Sequence, residues 1–520
     1  MIANKPSSMG RLHRSATNMT FNVVGWVVVA GINFAATPLL VRWLGRDGYG
    51  LENLVGVVMG YFAIMDLGLD FGGIKYLAEY HARGDTDSEN RLLSTNLQIY
   101  GAMGLLGLIL ILLIAGILAR RAFQIPPEFS SQAVVVFRLG ALGFLANMLV
   151  AWGGSIAQGL QRYDIMMSIS MGSSVTGVCL GLGAVYLGFG VVGFVMVKII
   201  MRFVAVLAYV SVARRLLPTW RPRLGLDREM FRRVGGAAGY GLIFRITGII
   251  TTSIDRTLIG AWLGTAAVTL YAVPNLATVA IGALVGRTMS FFFPMASELA
   301  STGQFDALRD IFIKSSRFLA AISAAAFLPL CAVANIFLTL WVGPSIAAKS
   351  TPVFRLLLVA NFVAMLTTLP GGLVLGLGNF RRAAIYAVGR VLIIGVACWL
   401  LIRPLGVTGA GIAALLGGFA DLAYMLYTPK KDLQIGVGRM FRQAYLKPLG
   451  LGLILSGATL YLRPIMATSW LAFGALYVAG GAVFVAIGYS IGIFGESEKR
   501  TVIAVISWGR GLLSRPAIPQ

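Results

Sequence analysis

Residues 239–264 read GYGLIFRITGIITTSIDRTLIGAWLG. The stretch is apolar and long enough to cross a bilayer, yet it carries Arg245, Asp255 and Arg256. It lies in a span read as 235–263, and the next, 267–297, adds Arg287. Arg245 stands about ten residues into its span, roughly 15 Å at helical rise, and so near mid-bilayer. A central arginine costs about 2.5–3.5 kcal/mol on insertion scales, so it is expected to face a bundle interior or a watery cavity. Arg245 and Arg256 are almost three turns apart and share a face, whereas Asp255 points about 100° away.

The surrounding chain has the same character. Of its 520 residues, 58% are hydrophobic and 12% charged, and mean hydropathy is +0.82. This composition points to an all-α polytopic membrane protein and not to a set of soluble domains. The 64 glycines suit helices that pack closely through small residues. A net charge of +23 would ordinarily suggest nucleic acid. Here most of that charge sits in loops between apolar runs, the positive-inside pattern, and nucleic acid is not an expected partner.

Fourteen spans follow, near 20–41, 51–76, 93–118, 133–157, 165–187, 190–212, 235–263, 267–297, 316–341, 353–377, 383–402, 407–427, 448–463 and 470–493. The first is read as an uncleaved span. With the N-terminus in the cytoplasm, cytoplasmic segments hold 27 Lys and Arg and the opposite side 7, which places both termini inside. The two longest loops are cytoplasmic and basic. They divide the chain into a tail 1–19, a six-helix lobe 20–212, a linker 213–234, a second six-helix lobe 235–427, a loop 428–447, a two-helix extension 448–493 and a tail 494–520. Internal repeats support duplication. Trp43-Leu44-Gly45 returns as Trp262-Leu263-Gly264, and Glu79, Gly84 and Asp87 return as Glu298, Gly303 and Asp306. Gly159-Leu160 before Arg162-Tyr163 answers Gly376-Leu377 before Phe380-Arg381. Six spans per lobe make the repeat parallel, with a pseudo-two-fold along the membrane normal.

No P-loop run is present, and both histidines, His13 and His81, lie outside the spans. A histidine metal site or triad within the membrane is thereby excluded, and no metal, cofactor or enzymatic role is expected. The three cysteines have no ligand spacing and read as small apolar packers. The informative residues are charges within spans. Asp66 and Asp70 are one helical turn apart with Lys75 following. They either bond helix ends and Lys75 or form an ion or proton site. Asp255 would pair with Arg42, Arg46 or Arg287. Lys198 and Arg202 are again one turn apart. Both are placed to line a cavity, with snorkelling favoured for Lys198, and Arg390 is open to either role. The cavity candidates are Arg245, Arg256, Arg287, Arg202, Lys75 and Arg390, against the acids Asp66, Asp70 and Asp255. That balance selects an anion.

The chain resembles the polysaccharide-transporter branch of the multidrug/oligosaccharidyl-lipid/polysaccharide flippase superfamily, the O-antigen or exopolysaccharide repeat-unit flippases. The matching pieces are VRWLGRDGYG (41–50), FAIMDLGLDFGGIKYLAEY (62–80), AQGLQRYD (157–164) and SIDRTLIGAWLGTAAVTLYAVPNLA (253–277). Members often carry Gly before the Tyr of the last motif, where this chain has Thr269-Leu270-Tyr271. The resemblance implies a flippase that moves a polyprenyl-pyrophosphate-linked oligosaccharide across the bacterial inner membrane. The pyrophosphate and any acidic sugars would meet the arginines, and the lipid tail would stay in the bilayer. The lobes would rock for alternating access. Asp66, Asp70 or Asp255 would serve H+ or Na+ if transport is coupled. Membrane lipids and the proteins of polysaccharide assembly are the other partners implied. The rivals are a lipid II flippase, an ion-coupled multidrug or organic-ion antiporter, and a membrane enzyme of polysaccharide assembly.

Overall fold

The structure, a computed structural model, describes residues 8–66, 69–223, 225, 227–235 and 239–494. Residues 1–7 and 495–520 of the two tails lie outside the described residues, and with them Lys5, Lys499, Arg500, Arg510 and Arg515. So do the side chains of Arg11, Arg14 and Arg233. Every regular element described is helical. The segment expected to form the first lobe holds α1 (Ser8–Phe62), α2 (Leu69–Arg83), α3 (Thr86–Ile117), α4 (Pro127–Gly159), α5 (Tyr163–Tyr186) and α6 (Gly190–Leu216). A short α7 (Arg228–Gly235) precedes α8 (Gly239–Trp262) and α9 (Thr265–Arg287). Then come α10 (Phe292–Ser301), α11 (Phe305–Ala332), α12 (Ala334–Val342), α13 (Pro344–Leu366), α14 (Thr368–Gly376), α15 (Phe380–Leu405) and α16 (Val407–Asp432). The chain closes with α17 (Val437–Met440), α18 (Leu446–Tyr461), α19 (Arg463–Met466) and α20 (Trp470–Ser490).

Eleven candidate spans among the described residues are long and apolar enough to cross a membrane, against the fourteen expected. Three particulars separate the numbers. α1 is continuous over 55 residues and counts once, although it covers the first expected span and the start of the second. α8 has the length, but Arg245, Asp255 and Arg256 fall within its 24 residues and lower its apolarity. α18 has only 16 residues, about 24 Å at helical rise and short of a bilayer core. Within α1 the backbone breaks at Gly45, with φ 71° and ψ 178°. A Cβ disfavours that left-handed region, so glycine is the residue that permits the break.

The repeats seen in sequence carry matching backbone. Gly45 and Gly264 have φ of 71° and 86°, and Gly84 and Gly303 have 69° and 71°. Gln161 and Gly378, in the turns after Gly159-Leu160 and Gly376-Leu377, have 58° and 74°. Contacts group the residues differently from the repeat, as Met1–Ala277 with Ala384–Ala413, and Thr278–Ala383 with Ala414–Gln520. Within the first unit, α8 bonds to α1 and to the turn that follows it: Tyr61 and Thr257 hydroxyls are 3.0 Å apart, and Arg245 pairs with Asp66. In the first unit, α3 and α4 meet where Gly107 faces Phe144 so closely that a Cβ would stand 2.1 Å from the ring. In the second unit, aromatic rings from α12, α13 and α20 pack together around Phe337. Tyr477 donates to Ala326 O at 2.6 Å.

The basic linker is packed rather than loose. Trp220 is buried with its ring 5.5 Å from that of Trp152, and the Asn90 side chain accepts from Arg221 N at 3.0 Å. Asp227 accepts from the amides of Glu229 and Met230 and from Arg91 Nε, the last at 2.7 Å. The Met230 amide and the Arg91 guanidinium hold its carboxyl below the usual carboxylate range. Because the folded value is depressed, the stabilisation is present above the unfolded value of about 3.9 and is lost as pH falls through the folded value. Asp227→Asn is therefore expected to speed proteolysis of the segment 217–227 at pH 7. Wild type should approach the variant only below about pH 4; equal cleavage at pH 7 would show that Asp227 does not hold the linker.

Candidate functional site

Arg245 lies on α8, seven residues into the helix. Its Nη2 makes an ion pair with Asp66 Oδ2, and its Nη1 is 3.7 Å from Asp70 Oδ2. The second span is not one continuous α-helix. A 3₁₀ turn, Ala63–Asp66, follows α1, and Asp70 opens α2. The one-turn spacing of the two acids therefore does not place them on a shared α-helical face. Arg245 brings them together instead, from 179 residues away in the case of Asp66.

The Asp66 side chain is 3% exposed and that of Arg245 28%. A charge this deep in a membrane helix is tolerable because a counterion answers it. Asp66 Oδ1 and the hydroxyl of buried Tyr100 are enclosed beside one another and have no other hydrogen-bond partner among the described residues. Arg245 retains capacity as well. A guanidinium offers five N–H donors, and its exposed edge leaves some of them available to an incoming acceptor.

Arg256 and Asp255 take different partners from those expected. Asp255 is buried and accepts from the Tyr271 hydroxyl, while its Oδ1 accepts from Arg256 N at 2.7 Å. Arg256 Nη2 donates back to Thr252 O on its own helix, and its Nε is 4.0 Å from Asp255 Oδ1. The Tyr271 bond ties α8 to α9, and the Arg256 contacts stay within α8. Tyr271, in the motif that departs from the family pattern, is the partner the sequence reading does not name.

A second polar feature lies beside α6. A cavity of about 330 Å³ opens between α1, α4 and α6, with Glu52, Gly56, Gly60, Asn147, Lys198 and Arg202 among its lining. Lys198 does not snorkel to an unpartnered position: its Nζ donates to Glu52 Oε1 at 2.6 Å. Glu52 and Asn147 were missed in the sequence. Their signal was a polar residue at helical spacing in an otherwise apolar stretch.

Three further candidates lie on α2, α15 and α9. Lys75 is exposed on α2, with Nζ 4.9 Å from the centre of the neighbouring Tyr76 ring. Arg390 is half-buried on α15 in the first unit. Arg287 ends α9, half-buried, in the second unit. No group of three or more His, Cys, Asp or Glu among the described residues has the geometry to hold a metal ion.

Comparison with known proteins agrees with this architecture. The family model described as "Polysaccharide biosynthesis protein" matches residues 39–346. The chain is 23% identical over 345 residues to the uncharacterized membrane protein EpsK of Bacillus subtilis, covering 65% of this chain and 67% of EpsK. It is 21% identical over 425 residues to a putative O-antigen transporter of Shigella flexneri, covering 79% of this chain and 97% of the relative. Among solved structures, the lipid II flippase MurJ in an inward closed conformation superposes with TM-score 0.73 at 10% identity, over 92% of this chain and 100% of that one. That likeness establishes a shared fold. Neither name that states a function is that of an enzyme. With the family match spanning more than half of the sequence, the chain belongs to the polysaccharide biosynthesis protein family, in the polysaccharide-transporter branch of the multidrug/oligosaccharidyl-lipid/polysaccharide flippase superfamily.

Proposed function

We propose that this protein is a flippase for a polyprenyl-pyrophosphate-linked oligosaccharide, moving it from the cytoplasmic to the periplasmic leaflet of the bacterial inner membrane. Both termini lie in the cytoplasm, as the 27-to-7 distribution of Lys and Arg supports. The observation that carries the reading is the Arg245–Asp66 pair, buried on one side and open on the other. An arginine whose counterion is a carboxylate can exchange that partner for a phosphate of similar geometry. In the alternating-access cycle the pyrophosphate takes a share of Arg245 while the polyprenyl tail stays in lipid. Arg256, Arg287, Arg202, Lys75 and Arg390 are the further cationic contacts. The carboxylate released from Arg245 is then the natural acceptor for H+ or Na+, with Asp70 and Asp255 as alternatives.

The test is translocation in proteoliposomes, scored by the leaflet in which a labelled lipid-linked oligosaccharide becomes accessible. With equal amounts of folded protein reconstituted, Arg245→Ala is expected to slow translocation at least tenfold, and Arg245→Lys to fall between. A normal rate for Arg245→Ala would make the residue purely structural. Dye efflux without oligosaccharide translocation would favour the antiporter reading instead.

A further inference from the structure

The α1–α4–α6 cavity carries a charge that the protein does not answer. Lys198 and Glu52 neutralise one another at 2.6 Å. Arg202 lines the same space, half-buried, and makes no hydrogen bond or ion pair among the described residues. Its titratable neighbour is Tyr209, whose hydroxyl donates to Met166 O at 3.3 Å. The three ionisable groups lining the cavity, Glu52, Lys198 and Arg202, therefore sum to one net positive charge. In a membrane-embedded bundle an unpaired guanidinium is costly, and a ligand anion relieves that cost.

The rest of the lining is suited to a sugar. The Asn147 side chain also makes no hydrogen bond among the described residues, which leaves an amide donor and acceptor for hydroxyl groups. Gly56 faces open space, with nothing within 4 Å of where a Cβ would stand. A ring can therefore approach the α1 backbone. At about 330 Å³ the cavity is at the small end of the about 300–1,000 Å³ typical of small-molecule sites. That suits one sugar residue and not an extended chain.

Resting on the flippase reading, we infer that this cavity is a subsite for one acidic sugar of the transported oligosaccharide. Its carboxylate pairs with Arg202, and its hydroxyls bond Asn147 and the Lys198–Glu52 pair. A single carboxylate matches the single net charge. A diphosphate would bring an excess of negative charge against Glu52, so the lipid pyrophosphate is the poorer fit. The transported glycan is thereby assigned to the uronic-acid-containing class.

Binding of methyl glucuronide, methyl glucoside and inorganic pyrophosphate to the full chain in nanodiscs tests the assignment. The glucuronide is expected to bind at least tenfold more tightly than the glucoside. Arg202→Gln should bring that ratio close to one, Arg202→Lys should retain part of it, and Asn147→Ala should weaken both glycosides. Monodisperse Arg202→Lys protein guards against misreading a folding failure. Equal affinity for the two glycosides in wild type, or an undiminished ratio in Arg202→Gln, would overturn the assignment. Tighter binding of pyrophosphate than of glucuronide would overturn it too and give the cavity to the lipid diphosphate. A proteoliposome arm separates this from the wider reading. If wild type translocates neither a neutral nor an acidic lipid-linked glycan while the glucuronide preference persists, the flippase reading fails and the subsite stands.

Discussion

Arg245→Ala is expected to destabilise the folded protein by about 3 kcal/mol or more, because it leaves the buried Asp66 carboxylate unanswered, and Asp66→Ala by less, because Asp70 stays 3.7 Å from the part-exposed Arg245. Asp66 is the more severe to lose its partner, being 3% exposed. The double variant Asp66→Ala/Arg245→Ala is expected to be less destabilised than the sum of the two, since no stranded charge remains. A double-mutant cycle on thermal stability in detergent measures this directly. Additive losses would show that the pair does not couple, and the 3.7 Å approach of Asp70 to Arg245 would then be the interaction to examine. The cycle also separates folding from transport. A double variant that regains stability yet translocates slowly would show that Arg245 acts on the substrate.

The second large effect is expected at Gly50. A Cβ there would stand 1.9 Å from Thr265 O and 2.7 Å from its carbonyl carbon. Both obstacles are backbone atoms at the start of α9, so no rotamer change removes the clash. The contact is held by neighbouring bonds, with Thr265 Oγ1 donating to Asp47 and Thr269 Oγ1 donating to Arg46 O at 2.5 Å. Gly50→Ala therefore forces α1 and α9 apart or breaks these bonds, at about 3 kcal/mol, the upper part of the overpacking range. Reduced yield and a lowered unfolding temperature are the expected readouts. Gly56→Ala, on the same helix with open space before it, is the control expected to show little change in either. Equal behaviour of the two variants would refute the close-approach explanation for Gly50.

Much of the architecture is readable from local sequence. Apolar run length predicts spans because insertion is a sum over neighbouring residues. The Trp43-Leu44-Gly45 and Trp262-Leu263-Gly264 repeat marks two breaks with matching backbone, φ 71° and 86°. Where the local reading differs from the structure, a specific residue set explains it. α8 is depleted in apolarity by its own three charges. Asp66 ends a 3₁₀ turn and Asp70 lies in the first turn of α2, so an argument from the spacing of one α-helix does not apply to the pair.

Hydropathy and charge placement are properties of single segments, so chain order alone specifies an all-α membrane protein with charges inside its seventh expected span. Which charges answer one another is visible in the folded chain alone. Its position in the span leaves Arg245 open to lining a cavity or to structural pairing, and in the fold it holds Asp66 and Asp70. Lys198, open in the sequence to lining a cavity or to snorkelling, lines one and holds Glu52. Arg202, one turn further on, was left without a protein counterion. Those pairings join residues more than a hundred positions apart. Coulomb energy depends on distance in space and on local dielectric, and neither is written in the order of the chain.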